Sequence, residues 1–548
     1  MRIFKSIILI AFISLSVKLN AMPPHPDMID KYRNDGQLKL LMNRLNSINT
    51  RMNMNSPLKA FSPNGVRKVP VLLVSYSTPY GASSNLFLSI RNVKMQSIPV
   101  YVIFLIFMVT LSVMLKRYGG KNSAVLKPFA TVYLFLFIFL VSCGISKEDD
   151  DDEEDSFTDK AVYSRLLNGD TASDLSVRKY YQDMSNNNLN LVFDFYGPVK
   201  VSKSWDYYGK NSAGNDMHPG ELVSEALRLM VSKYTSVDFS MYDNDNNGEI
   251  DAVIIIHEGP GEEASGGADT IWSHQWDLTS AAVSGDGNGP VNAGNGDLFN
   301  IYTIQPEYTS TKGDSSIGVF VHEFGHVLGL PDLYDTSVSP NTHGVGDWSL
   351  MASGSWKGPV TNDGTTPAPL LAWERLKAGG TGANKWITIT TLGAVTGQPI
   401  GNIETTKTVF KIVLDATAGQ EQYLLIEGKQ SSTSTQWYVP GPAPAGGILI
   451  SHIHEGVIGQ YTVTDEVNAG DSRVHGVNIV ESAGGNDLWS MPGNSGNLSD
   501  LYTAGGITNA IIYTDNTNYT IVTSSTTIDI NTSMITPSPL SMTFDVAL

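Results

Sequence analysis

Val321-His322-Glu323-Phe324-Gly325-His326-Val327-Leu328-Gly329-Leu330-Pro331-Asp332 has the pattern H-E-x-x-H-x-x-G-x-x-D. Positions i and i+4 of a helix share a face, so the imidazoles of His322 and His326 can grip one metal ion. Glu323 lies beside them, where its carboxylate can reach a metal-bound water without being a ligand. Gly329 suits the left-handed conformation of a helix C-terminal cap. Pro331 prevents the helix from continuing, and the turn can bring Asp332 round as a third ligand. Three protein ligands and one open position describe a catalytic zinc site rather than a structural one. The third ligand has a rival in Glu374, on the helix expected after Ala372. Asp332 is preferred because a ligand turned in by a nearby glycine is the simpler geometry.

The flanks agree with this assignment. Ser315-Ser316-Ile317-Gly318-Val319-Phe320-Val321 is small and apolar, as a helix through a core requires. Further on, Gly346-Asp347-Trp348-Ser349-Leu350-Met351 offers Met351 as the methionine turn that lies beneath the metal in extended zincins. Residues 321–335 and 346–356 resemble the immune inhibitor A family of secreted bacterial metallopeptidases. Ser176-Val177-Arg178-Lys179-Tyr180-Tyr181, Asp251 through Glu263, Ile271 through Trp276 and Ala372 through Leu376 carry the same resemblance. The family usually continues from that last run into Gly-Trp, whereas Gly379-Gly380 follows here. The resemblance implies an α+β metzincin-like catalytic domain with a twisted sheet over an active-site helix, one catalytic zinc, and endopeptidase activity on extracellular proteins or peptides. Glu323 would be the general base. The rival from another functional class is an inactive, adhesin-like surface protein that keeps the zincin scaffold; it predicts loss of the base or the ligands, and all of them are present. Tyr334 and His343 are weaker candidates for stabilising the oxyanion. His257 and His274 are left out of the metal set, as are His452, His454 and His475, which have no fixed spacing.

Asp243-Asn244-Asp245-Asn246-Asn247-Gly248-Glu249-Ile250-Asp251 reads as the first nine positions of a calcium loop. Asp243, Asp245, Asn247 and Asp251 would offer side-chain oxygens and Glu249 its backbone carbonyl. Position twelve is Ile254, not the bidentate glutamate of an EF-hand, so a structural calcium ion completed elsewhere, by Asp238 for instance, is expected. The alternative is an Asn/Asp-rich turn.

The 548 residues carry a formal charge of −18, which argues against a nucleic-acid partner. Eight of the acids form one block, Glu148 to Asp155, as a solvated linker would. Residues 1–21 have the basic start, short apolar run and small final residue of an export signal, so a secreted or bacterial cell-surface location is expected. The single cysteine, Cys143, rules out disulfides within the chain, and no thiol in residues 22–77 can cap the zinc. Residues 22–68 occupy the place of the family's propeptide, and 69–78 that of the catalytic domain's first strand. Residues 79–155 are anomalous: Ile98–Leu115 is just long enough to span a bilayer, and Leu140-Val141-Ser142-Cys143 resembles a lipobox. Two readings stand, a gene-model or frameshift join or a true insert, the latter giving membrane association through its apolar runs or a lipid on Cys143. Residues 156–382 then form the catalytic domain. Residues 383–548 carry short β-runs between Gly, Asn and Ser turns, predicting a β-sandwich-like domain. Several of these runs lack alternation, as strands covered on both faces do.

Overall fold

The structure is a computed structural model. It describes residues 20–25, 61–80, most of 157–502 apart from short loop segments, and the strands at 507–509, 527–529 and 542–547. Residues 1–19 of the export signal, most of the propeptide-like segment, and 81–156 with both apolar runs and Cys143 lie outside the described residues. Among the described residues, no helix is long and apolar enough to cross a membrane.

Six strands make the first sheet: β1 (Asn20–Ala21), β2 (Gly65–Ser75), β3 (Leu189–Lys200), β4 (Val253–Pro260), β5 (His274–Asp277) and β6 (Ile301–Tyr308), in the order β1-β5-β6-β4-β2-β3. The run β6-β4-β2-β3 is parallel, while β5 runs antiparallel to β6 and β1 antiparallel to β5. A parallel sheet needs long crossovers and cover on both faces. The helices α1 (Lys160–Asn168), α2 (Val177–Met184) and α3 (Pro219–Lys233) lie in the connections that lead into β3 and β4. β4 is accordingly buried at all eight of its residues. The stretch of chain at 81–156 interrupts the sequence of this sheet without removing β2 from it. Val71 to Val74 pair with Ile254 to His257 on one side, and Gly65 to Ser75 pair with Leu189 to Lys200 on the other. Just outside the stretch, Tyr80 bonds the Gly266 carbonyl in the loop after β4, and Thr158 bonds the Glu307 carboxylate of β6.

Helix α4 (Ile317–Val327) packs against β5 and β6 and is buried at every one of its positions. Phe324 explains part of this: its ring meets Phe61 at 5.1 Å and Tyr181 at 5.4 Å, edge to face. Helix α5 (Ala372–Gly379) follows. Beyond it come β7 (Thr388–Thr391), β8 (Val395–Ile400), β9 (Thr408–Asp415), β10 (Gln422–Ser431), β11 (Ala445–His454), β12 (Val477–Ile479), β13 (Ile507–Asn509), β14 (Thr527–Asp529) and β15 (Met542–Ala547). They form a five-stranded sheet, β7-β9-β10-β11-β12, and a four-stranded sheet, β8-β15-β14-β13.

The apolar runs without alternation now have a cause. In β9, β10 and β11, Val409, Leu425 and Leu449 belong to the core shared with the first sheet and α4. Their neighbours Phe410, Ile426 and Ile450 join Ile400, Phe544 and Val546 of the four-stranded sheet in a second core. A sheet covered on both faces needs apolar residues at consecutive positions, so period two disappears from the sequence. β7, an edge strand, is mostly exposed.

Candidate metal centre

Ser316 starts α4, and the helix stops at Leu328 with Gly329 at φ 84°. The Leu330 N–H donates to the Gly325 carbonyl and the Gly329 N–H to the His326 carbonyl, the paired bonds of a Schellman cap. This cap turns the chain so that Pro331 and Asp332 fold back beside the helix. Gly325 has a different reason to be glycine. A Cβ there would sit 2.6 Å from the Met351 sulfur, so the helix lies directly against Met351.

His322, His326 and Asp332 are fully buried and meet at one point. The Nε2 atoms of the two imidazoles are 3.2 Å apart, and Asp332 Oδ1 is 3.2 Å from one and 3.4 Å from the other. His322 Nδ1 faces the Leu350 carbonyl at 3.0 Å and His326 Nδ1 the Leu330 carbonyl at 2.8 Å. A carbonyl only accepts, so each Nδ1 carries the proton and each Nε2 a lone pair. With both rings neutral, two lone pairs and a carboxylate oxygen converge, and hydrogen bonds alone cannot reconcile three acceptors. A cation can. Zinc holds N and O ligands at about 2.0–2.1 Å in tetrahedral geometry, which separates ligand atoms by about 3.3 Å. The observed triangle fits that spacing, and the carbonyls behind both rings supply the outer hydrogen bonds that orient metal-binding histidines.

Burial works against ionisation of Asp332, but the two histidines outweigh it and hold its carboxyl below the ordinary carboxylate range. Burial pushes His326 down. Glu323 is pushed well above the usual range, first by burial and then by the negative charges of Asp332 and Glu263. The nearby Met22 amide, which donates to the Ser273 carbonyl at 3.2 Å, opposes that shift. Both Glu323 carboxylate oxygens are buried without a hydrogen-bond partner among the described residues. A base awaiting a polar reactant is one arrangement that leaves a carboxylate so exposed to its own desolvation cost.

Glu374 does not join the three. Its carboxylate accepts the Ser349 hydroxyl and the Leu371 N–H, each at 2.5 Å. The Tyr334 hydroxyl is buried against Asp332, while the His343 amide donates to the Leu488 carbonyl. His274 bonds the Trp272 carbonyl and the Tyr302 hydroxyl, and His452 bonds Gln422. Neither His257 nor any of these three rings belongs to a metal-sized cluster among the described residues.

Residues far from the motif complete the pocket. Asp465 Oδ1 accepts the Asp332 N–H at 2.8 Å, and the Asn468 side chain donates to the Leu333 carbonyl at 2.9 Å. Trp348 Nε1 donates to Asp500, and Ser495 to Asp347. Residues between 465 and 500 therefore pin the loop that bears Asp332 and the turn that holds Trp348. Local spacing carries no signal for these residues, because they lie more than a hundred positions downstream of what they hold.

The N-terminal segment was missed in the same way. β1 pairs with the outer edge of β5, Asn20 opposite Gln275 and Ala21 opposite His274. Met22 is buried against Val319 of α4 and Trp356, and Trp272 and Trp356 donate their indole N–H groups to the Met22 and Pro23 carbonyls, both at 2.8 Å. His25 stands edge-on to Trp356 at 4.7 Å.

The second predicted ion site is partly assembled. Asp243, Asp245 and Asp251 bring carboxylate oxygens within 4.8 Å of one another. Asp243 also accepts the Asn247 and Gly248 amides, Asn247 accepts the Glu249 amide, and Asp251 accepts the Asn244 side chain. Asp238 instead caps the turn at Ser240. Burial raises Asp251 to about 6, with Asp245 and Asp243 adding to it.

Comparison with known proteins agrees with this geometry. Residues 145–386 match the model of the immune inhibitor A peptidase M6 catalytic domain. Pre-pro-metalloprotease PrtV of Vibrio cholerae serotype O1 is 37% identical over 238 residues, covering 39% of this chain and 24% of that protein. Immune inhibitor A of Bacillus thuringiensis subsp. alesti is 31% identical over 277 residues, covering 45% of this chain and 39% of its own length. The chain thus spans well under half the length of either relative. Residues 145–386, which hold the whole H-E-x-x-H-x-x-G-x-x-D run, are thus similar to the catalytic domain of the immune inhibitor A peptidase M6 family.

Proposed function

We propose that this chain is a zinc-dependent endopeptidase of metzincin type that hydrolyses peptide bonds in extracellular proteins. The observation that carries this is the triangle of three buried acceptors, His322 Nε2, His326 Nε2 and Asp332 Oδ1, with 3.2–3.4 Å sides beside the unpartnered Glu323. A zinc ion held there supplies a Lewis acid that acidifies a water and polarises the scissile carbonyl. Glu323 takes the proton of the attacking water and returns it to the leaving amine. Met351 supports the helix from beneath, and Tyr334 stands beside the site as a donor toward the developing oxyanion. The two C-terminal sheets act as a sandwich-like subdomain whose loops brace the ligand loop.

The test uses the purified full chain, stripped with a chelator and then given zinc, with unfolded casein as substrate. Zinc should restore cleavage, and mass spectrometry should find internal cuts. Binding of casein without cleavage would instead support the adhesin-like alternative.

The edge of β5 is the peptide-binding edge in this proposal, since an extended substrate adds to a sheet by strand pairing. The Met22 and His25 N–H groups donate to the Ser273 and Glu263 carbonyls beside that edge, so the segment from Met22 onward acts as a propeptide whose first residues cover the cleft. Burying a methionine is worth about 1.5–3 kcal/mol. Met22→Asp should therefore raise kcat/KM on a short peptide by about tenfold or more. An unchanged kcat/KM would show that the segment does not shield the cleft. Residues 1–21 direct export, and the mature protein is secreted or, if Cys143 is lipidated, held at the cell surface.

A calcium ion at Asp243, Asp245 and Asp251 is a further part of the proposal, completed by Asn247 and the Glu249 carbonyl. Without the ion, the raised Asp251 binds its proton more tightly folded than unfolded. That contribution is present below the unfolded pKa and is lost as pH rises through about 6. Calcium should replace the proton, raising the melting temperature at about pH 7.5 and leaving it unchanged near pH 4.5, with zinc fixed. No rise at the higher pH would remove the calcium site.

A further inference from the structure

Glu374 is a fully buried carboxylate for which the proposed reaction has no use. Its two oxygens accept from Ser349 Oγ and the Leu371 N–H. Ser349 Oγ, its proton given to Glu374, accepts the Met351 N–H at 2.9 Å. That N–H belongs to the same peptide unit as the Leu350 carbonyl, which receives His322 Nδ1. A peptide unit is planar and trans, so its N–H and C=O point in fixed opposite directions. Holding one end aims the other.

Glu374 is itself held. The next amide along, Ala372 N–H, donates to Glu427 Oε1 on β10, and Glu427 pairs with Lys429 Nζ of the same strand at 3.0 Å. The relay runs from β10 through the start of α5 and across the methionine turn to an imidazole.

We propose that Glu374 is a positioning residue for His322: through Ser349 it clamps the Leu350–Met351 peptide, and the clamped Leu350 carbonyl fixes the ring orientation and tautomer of His322. This rests on the proposed role of His322 as a metal ligand. The carboxylate that spacing offers as a rival ligand works instead one layer out, through backbone. Outer hydrogen-bond partners of this sort typically contribute about 10–100-fold to metal affinity.

The test compares the unsubstituted chain with Ser349→Ala, Glu374→Ala, Glu374→Gln and the double alanine variant. Zinc affinity is read by chelator competition, and the His322 tautomer by NMR of the metal-free protein. Ser349→Ala and Glu374→Ala should each weaken zinc by about 10–100-fold and leave KM for a peptide unchanged. The double variant should be no weaker than the singles, because both cut one relay. Glu374→Gln, which keeps one acceptor, should fall between. Glu404→Gln removes the partner of neighbouring Arg375 and serves as the control: it should lower thermal stability without changing zinc affinity.

Unchanged zinc affinity and tautomer in Ser349→Ala would overturn the proposal, even if Glu374→Ala failed to fold. Additive losses in the double variant would overturn it too. If the unsubstituted chain bound no zinc, the functional reading itself would fall and the relay with it.

Discussion

Glu323→Gln is expected to abolish most peptide hydrolysis while leaving zinc bound. Glutamine keeps the shape and cannot take a proton, so the loss should be about 10²–10⁴-fold or greater in kcat, with little change in KM. Zinc affinity should change little, because Glu323 is not among the three residues whose ligand atoms converge. The measurement is kcat on a quenched peptide beside zinc content by chelator competition. Retained turnover with bound zinc would show that another group accepts the proton. Loss of zinc together with turnover would show that Glu323 belongs to the ligand set.

Asp332→Ala should act on the other half of the site. It leaves two imidazole lone pairs 3.2 Å apart and removes the one carboxylate that meets them in the buried cluster. Zinc affinity should fall by more than the 10–100-fold or so typical of an outer partner. The rise in melting temperature that zinc gives the unsubstituted chain should disappear, since stabilisation by a ligand follows its affinity. Glu374→Ala separates the two candidates for third ligand: if it abolished zinc binding and Asp332→Ala did not, the assignment would be reversed.

The motif was legible because its geometry is local. Two histidines one helical turn apart, a glycine at the cap and an aspartate three residues later need no distant information. The cluster of Asp243, Asp245 and Asp251 lies in an equally local stretch, and the buried strand near Val69 was also legible. The role of Glu374 was not. Its position on a helix after the methionine turn made it a plausible ligand. Only the packing of α5 shows its carboxylate turned toward Ser349 and the Leu371 amide.

The lack of alternation in β9, β10 and β11 could be read as strands covered on both faces, but not what covers them. One cover is the core of the first sheet and α4, the other a sheet that includes β15 at the far end of the chain. Asp465, Asn468 and Trp356 reach the site through such long-range contacts, as do the first residues after Asn20. What the amino-acid order determined alone is the chemistry of the metal centre, since helical periodicity and turn stereochemistry act over a few residues. What tertiary structure decided is which carboxylate joins the histidines, which holds them from behind, and what lies along β5. Those outcomes depend on segments that meet only when the cores close, and apolar burial is indifferent to separation along the chain.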